Sequence, residues 1–247
     1  MTTHAISRRQ VFFCSLGVAL AAALGVTSAH AEPVHAVITK QVGIDRLSNI
    51  APQFEAWRKA GLLTKFKLLK AQPGQKEPGF TTLAVVDLPN EKAFKAWSSQ
   101  AAPRFGDKVI VRRASLVRHE GQPSKTPASA VHVASLYSTH VSANEYKRYT
   151  ERYIAPNMNQ QRAAGIMSQY AMYLEREPVA GQTRSLLVMD YADPAAYARR
   201  DAVKAEGKQK LLADPEWKRL NDVKETIRSD ISSTAANDRG AATAAAH

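Results

Sequence analysis

"AGLLTKFKLLK" (60–70) and "AGIMSQYAMYL" (164–174) are one pattern written twice in the same chain, 104 positions apart. In both, Ala-Gly is followed by two apolar residues, a hydroxylated residue, a long polar residue and an aromatic one. Other segments recur at nearly the same distance. "VHAVI" (34–38) returns as "VHVAS" (131–135), and "LAVVDLPNEKAFKAW" (83–97) as "LLVMDYADPAAYARR" (186–200), with Asp87 on Asp190 and Phe94 on Tyr197. The helical stripe Leu47, Ile50, Phe54 is matched by Tyr146, Tyr149, Tyr153. Offsets of 97, 99, 103 and 104 differ only by short insertions, as duplicated units with altered loops would show.

Each copy reads strand, helix, strand, strand, helix, strand. In the first, β-branched residues alternate from His35 to Gln41, marking a strand. Leu47, Ile50, Phe54 and Trp57, three or four apart, share one face of a helix over 45–60 that Gly61 ends. Strands follow at 62–72 and 80–88, with Pro and Gly residues between them as a hairpin loop. A short helix at 91–99 and a strand at 108–119 complete the unit. The stretch 121–129, "GQPSKTPAS", is a linker. In the second copy, Ser142 and Glu145 form a capping box, and Asp193-Pro194 and Asp214-Pro215 each place an acid before a first-turn proline. The last strand is expected at 225–232 and an Ala-rich disordered tail at 235–247. The expected domains are a signal peptide (1–31), a first repeat (32–120), the linker and a second repeat (130–234).

Strand-helix-strand-strand-helix-strand is the ferredoxin-like order. Such a unit carries helices on one sheet face and leaves the other to be covered. The fold class expected is therefore α+β, with two tandem ferredoxin-like βαββαβ repeats packed sheet to sheet and helices outside. On this pattern the chain resembles the dimeric α+β barrel superfamily, which includes antibiotic-biosynthesis-type monooxygenases, the NIPSNAP and EthD groups, and the haem-binding chlorite dismutases and dye-decolourising peroxidases. "DPEWKRL" (214–220) looks most like NIPSNAP members. The Gly-x-x-Asp-Gly of the dye-decolourising peroxidases and the Trp/Tyr-rich stretches of chlorite dismutases are missing from the sequence. The resemblance implies fold more strongly than activity.

Ser7-Arg8-Arg9, the apolar run 18–26 and Ala29-His30-Ala31 have the layout of an export signal of the twin-arginine (Tat) kind, with Sec export as the alternative. The apolar run is shorter than the roughly 20 residues that span a bilayer. A periplasmic or secreted location follows, with no membrane span in the mature chain. Cleavage after Ala31 removes Cys14, the sole cysteine, and lowers the formal charge from +12 to +10. A thiol-free chain excludes disulfides, thiolate nucleophiles and Cys-ligated metal. Lys and Arg are spread over nearly every segment rather than gathered in a stripe, so no nucleic-acid partner is expected.

The candidate ligand-binding residues are His35, His132, Tyr170 and Tyr173. The histidines hold equivalent first-strand positions, where neighbouring side chains alternate faces. If Val34, Ala36 and Ile38 lie under the helices, both imidazoles point into the barrel as ligand contacts, bases or metal ligands. Otherwise the pair is an echo of duplication at the barrel rim. Tyr170 and Tyr173 point to opposite faces, so one should offer a phenol to an apolar cavity. The stripe Tyr146, Tyr149, Tyr153 is expected to pack on the sheet. Asp87 and Asp190 close strand three in each copy and are expected in turn or capping roles. No His-Glu-x-x-His, nucleophile elbow, P-loop or dinucleotide glycine fingerprint occurs. The first functional reading is an exported binding or accessory protein with a small-molecule cavity between the repeats and no cofactor. The alternative is an oxidoreductase of the same fold, cofactor-free or haem-dependent, and a third reading is a structural envelope protein with a filled barrel. No metal site is expected, and a homodimer stays open.

Overall fold

β-Branched and aliphatic residues alternate along Val34–Lys40, and this segment forms β1, the centre of the first half of the chain. The computed structural model describes residues 33–40, 50–105, 109–124, 126–178 and 181–239. The expected signal peptide, Leu47 and residues 240–247 lie outside that set. After β1 come α1 (Ala51–Lys59), β2 (Lys65–Ala71), β3 (Thr82–Leu88), α2 (Glu91–Ala101) and β4 (Val109–Gly121). The second half runs β5 (Val131–Thr139), α3 (Ala143–Tyr149), a π-helical turn (Thr150–Ile154), α4 (Ala155–Ala163), β6 (Met167–Glu175), β7 (Thr183–Tyr191), α5 (Pro194–Ala198), α6 (Arg200–Leu211), α7 (Pro215–Asp222), α8 (Lys224–Ile227) and β8 (Arg228–Asp238).

These strands close into one barrel in the order β1-β3-β2-β8-β5-β7-β6-β4, with every neighbouring pair antiparallel. Each half thus has the same internal order, fourth strand, first, third, second. The halves meet along two seams, β2–β8 and β4–β6. β1 and β5 lie opposite each other in that circle.

The period of two sorts side chains into an inner and an outer set. Val37, Leu69, Leu83, Val85, Ala114, Ala134, Leu186, Val188 and Ala236 form one apolar cluster with Tyr173, and together they come from all eight strands: this is the barrel interior. Its small residues fit an eight-stranded barrel, whose lumen is just wide enough for side chains to fill. Outside, Phe54, Trp57, Trp97 and Phe105 seal the first half under α1 and α2, with ring centroids 5.3–6.2 Å apart. Burying each such side chain is worth about 1.5–3 kcal/mol. Tyr146, Tyr149, Tyr153, Tyr170, Tyr191 and Trp217 belong to the corresponding core of the second half, so the tyrosine stripe packs on the sheet.

Caps fall where the residue types place them. Ser142 and Glu145 make the reciprocal capping box, Asp193 accepts from the Ala196 amide, and Asp214 accepts from the amides of Glu216 and Trp217. Pro156, in the first turn of α4, has no amide to continue the helical ladder. The chain ahead of it widens into the π turn, with the Ala155 amide donating to the Thr150 carbonyl.

The end of the chain corrects the expectation. Residues 224–227 are helical, β8 begins at Arg228, and it runs to Asp238 instead of ceding to a tail at 235. Ala235 and Ala236 are buried, because alanines are what the barrel wall admits there. Gln75 holds this end: its side-chain amide donates to the Ala235 carbonyl and its oxygen accepts from the Ala235 amide, both at 2.7 Å.

Candidate functional site

β1 and β3 pair His35 with Asp87, and β5 and β7 pair His132 with Asp190, each directly across the ladder on the inner face. The Nδ1 of each imidazole lies 2.7 Å from Oδ1 of its aspartate. An ionised carboxylate only accepts, so Nδ1 carries the donated proton. Asp87 and Asp190 are therefore not the expected caps. Asn90, whose Oδ1 accepts from the Ala93 amide, caps α2 instead.

The two dyads differ in what surrounds them. Lys67 of β2 reaches across the barrel and donates to Oδ2 of Asp190, which also accepts from Gln169 of β6. Burial by itself would raise the Asp190 carboxyl, but the His132 hydrogen bond and the Lys67 ammonium outweigh it and hold the group well below the usual carboxylate range. The Asp87 side chain keeps 29% of its exposure, against 4% for Asp190. His132 Nε2 is buried without a partner. Tyr173 sits edge-on to His35 with ring centroids 5.4 Å apart; burial, then the charges of Asp87 and Asp190, push its phenol up. Tyr170 faces the other way, into the helix-covered core, where burial pushes its phenol up to about 12. Of the four candidate residues, the barrel interior gathers His35, His132 and Tyr173 and excludes Tyr170. His119 and His140 are exposed and bond Gln169 and Ser229. Among the described residues no cluster of three or more His, Cys, Asp or Glu could hold a metal.

The cavity lies elsewhere. A pocket of about 710 Å³ opens between the outer face of the second-half sheet and α4, α6, α7 and α8. The expected inter-repeat cavity would lie in the barrel interior, where the strands' own aliphatic side chains cluster; this pocket lies outside it, between sheet and helices. Val133, Tyr137, Leu187 and Met189 form its sheet wall, and Ile154, Met158, Tyr153 and Trp217 its apolar helix wall. Tyr153 stacks on Trp217 at 4.9 Å, and the Trp217 indole N–H donates to the Tyr153 carbonyl. Both side chains owe their place to local signals, Tyr153 to the π turn before Pro156 and Trp217 to the Asp214 cap within "DPEWKRL".

Arg228, the first residue of β8, lies in this pocket with its guanidinium 3.8 Å from the Tyr137 ring centroid, a cation–π distance. Among the described residues no carboxylate pairs with it, and its Nη1 is buried without a hydrogen-bond partner. Arginine stays charged at any physiological pH, and this half-buried cation is faced by the rings of Tyr137 and Tyr149, so its open side is a place for an anion. Arg200, Lys204, Lys208 and Lys224 also line the pocket, against Glu225 and Asp230. Sequence reasoning missed all of these. The spacing of 200, 204 and 208 on one helix face was there to be read, but Arg228 is an isolated residue with no local signal. Haem, the cofactor of some barrels of this architecture, fits poorly. No described lining residue is a histidine or cysteine, the common axial ligands.

No family model matches the sequence, and no curated protein does. Solved structures do match the fold. A candidate monooxygenase from Fusobacterium nucleatum subsp. nucleatum ATCC 25586 is 13% identical, with 85% of this chain and 93% of that chain covered and a TM-score of 0.53. An anthrone oxidase-like protein is 8% identical, with 83% and 90% covered and a TM-score of 0.54. These likenesses show the fold alone, a closed antiparallel barrel with helices outside.

Proposed function

We propose that this protein is an oxidoreductase that binds a planar aromatic anion in the helix–sheet pocket of its second half and oxidises it with dioxygen. The observation that carries the reading is Arg228: a half-buried guanidinium with its Nη1 buried and unpartnered, paired with no carboxylate among the described residues, beside walls of Tyr137, Tyr153 and Trp217. A pocket of this size suits a drug-sized ligand, with aromatic and aliphatic patches set in a lining rich in polar and cationic side chains. The two structural neighbours, described as a monooxygenase and an anthrone oxidase-like protein, agree with this chemistry and supply a probe.

For an anthrone the reaction balances without a cofactor. The ring methylene loses two hydrogens, one atom of dioxygen becomes the new carbonyl oxygen, and the other leaves as water with those hydrogens. The substrate must first become an electron-rich phenolate. Arg228 stabilises that anion through a charge-assisted hydrogen bond, worth about 1.5–3 kcal/mol. Glu225 and Asp230 are the carboxylates available to take the proton. The test is anthrone turnover followed by quinone absorbance and oxygen uptake, alongside calorimetric binding of anthraquinone-2-sulfonate. Arg228→Gln should lose both by about 10- to 100-fold, as expected for one charge-assisted bond. Tight binding without turnover would leave a binding protein, and unchanged binding in Arg228→Gln would sink the site.

We assign His35, His132 and Tyr173 to an internal clasp between the halves rather than to ligand contact, and Tyr170 to the core. The equal strand order of the halves and the repeated "VH" and Ala-Gly segments support an origin by duplication of a ferredoxin-like unit. "DPEWKRL" supports a place near NIPSNAP proteins. Arg8-Arg9 and Ala29-His30-Ala31 support export by the Tat route, for which N-terminal sequencing should find Glu32 first.

A further inference from the structure

The pocket has two separate groups of cations. Arg228 lies on the sheet wall, at the start of β8. The other group lies on α6, where Arg200, Lys204 and Lys208 follow one another at intervals of four and so share one helix face. The acids of α6 are on other faces: Glu206 pairs with Lys210 one turn on, and Asp201 with Arg200 at 3.3 Å. Lys224, on α8, lies 3.8 Å from Glu225. Among the described residues neither Lys204 nor Lys208 makes an ion pair or hydrogen bond. Two exposed ammonium groups therefore edge the opening on the helix side, and the half-buried Arg228 guanidinium lies on the sheet side. Gly207 fixes α6 at that distance, since a Cβ there would stand 2.9 Å from Cβ of Gln160 on α4.

We propose that the ligand is a dianion, an elongated polycyclic aromatic with one acidic group on Arg228 and a second, at its far end, on Lys204 and Lys208. This rests on the reading of the pocket given above and narrows its substrate class. A monoanion uses the sheet wall alone. A ligand with acids at both ends spans the two walls and gains the helix-side charges as well, an electrostatic gain that salt weakens because those lysines are exposed.

Anthraquinone-2-sulfonate and anthraquinone-2,6-disulfonate, titrated calorimetrically into the full mature chain at 50 and 200 mM salt, separate the two groups. The disulfonate should bind about 5- to 20-fold more tightly at low salt, a range set by two exposed charge contacts, and lose most of that advantage at high salt. The Lys204→Gln/Lys208→Gln double variant should bind the disulfonate no better than the monosulfonate and leave monosulfonate affinity unchanged. Both positions are exposed, and far-ultraviolet circular dichroism checks the fold. Equal affinity for the two probes in the native protein, or a preference that survives the double variant, would overturn the dianion proposal while leaving the Arg228 site standing. Binding of neither probe would overturn both.

Discussion

Replacing Asp190 by asparagine removes the charge at the centre of the inner clasp, and its cost can be worked from the contacts. The asparagine carbonyl can still accept from His132 Nδ1, so that hydrogen bond survives in neutral form. Lys67 loses the one counter-ion it has among the described residues. Removing one partner of a buried pair costs about 3–5 kcal/mol. Here the Lys67 side chain retains 25% exposure and can regain some water, which lowers the expectation to about 2–4 kcal/mol. With a urea m-value of about 2 kcal/mol/M, the unfolding midpoint should fall by roughly 1–2 M at pH 7. The pH dependence gives an independent check. Asp190 is held below its ordinary 3.8 in the fold, so the unfolded chain takes up its proton first. Its stabilisation is complete above that value and is lost as the pH falls through the native one. The variant should therefore show a flatter decline of stability below about pH 4. Asp87→Asn, at the more exposed dyad, should cost only about 1 kcal/mol. A loss below about 1 kcal/mol in Asp190→Asn, or an acid limb as steep as that of the native protein, would refute the clasp.

Gly79→Ala places a Cβ 1.9 Å from Ser232 Oγ and 2.4 Å from its Cβ, so thermal unfolding should show a loss of about 1–3 kcal/mol that Ser232→Gly partly restores. Burial raises the Glu175 carboxyl, opposed by Arg112 and Arg184. The folded state thus binds this proton more readily than the unfolded chain, and stability falls as the pH rises through the native value. Glu175→Gln should raise the chemical-unfolding midpoint at pH 8 and change it little at pH 4. Ser142→Ala removes the acceptor for the Glu145 amide and should lower stability by about 1 kcal/mol in the same assay.

Most of the barrel was legible because it is written in local patterns. Alternation marked the strands, the offset paired the halves, and Ser142, Asp193 and Asp214 announced their helices by residue type. The two aspartates were misjudged for an instructive reason. A carboxylate just ahead of a helix looks like a cap, but Asp87 and Asp190 are still in register with a histidine on the neighbouring strand, and the ladder decides before the helix begins. The end of β8 was hidden by composition: alanines that look like solvent tail are what a narrow barrel interior and its wall accept. The pocket could not be read at all, since a volume depends on how far α6 and α7 stand from the sheet.

That separation explains why the candidate site belongs to one half only. Both halves have the same strand order and the same need to cover an outer sheet face. The first half covers it with α1 and α2 and fills the space between with Phe54, Trp57, Trp97 and Phe105, leaving a closed aromatic core. The second has extra chain between its third and fourth strands, from α6 to α8, and a π turn in its first long helix. Those additions carry the helices outward, and the residues left facing the gap are Tyr153, Trp217, Lys204, Lys208 and Arg228 rather than a sealing set of rings. The inner face cannot diverge in the same way, because every strand contributes to one lumen and a polar group there must find its partners within it, as Asp190 finds His132 in its own half and Lys67 in the other. A barrel whose halves share one strand order can therefore keep its paired interior as a clasp and open one of its outer faces, without disturbing the closure on which both halves depend.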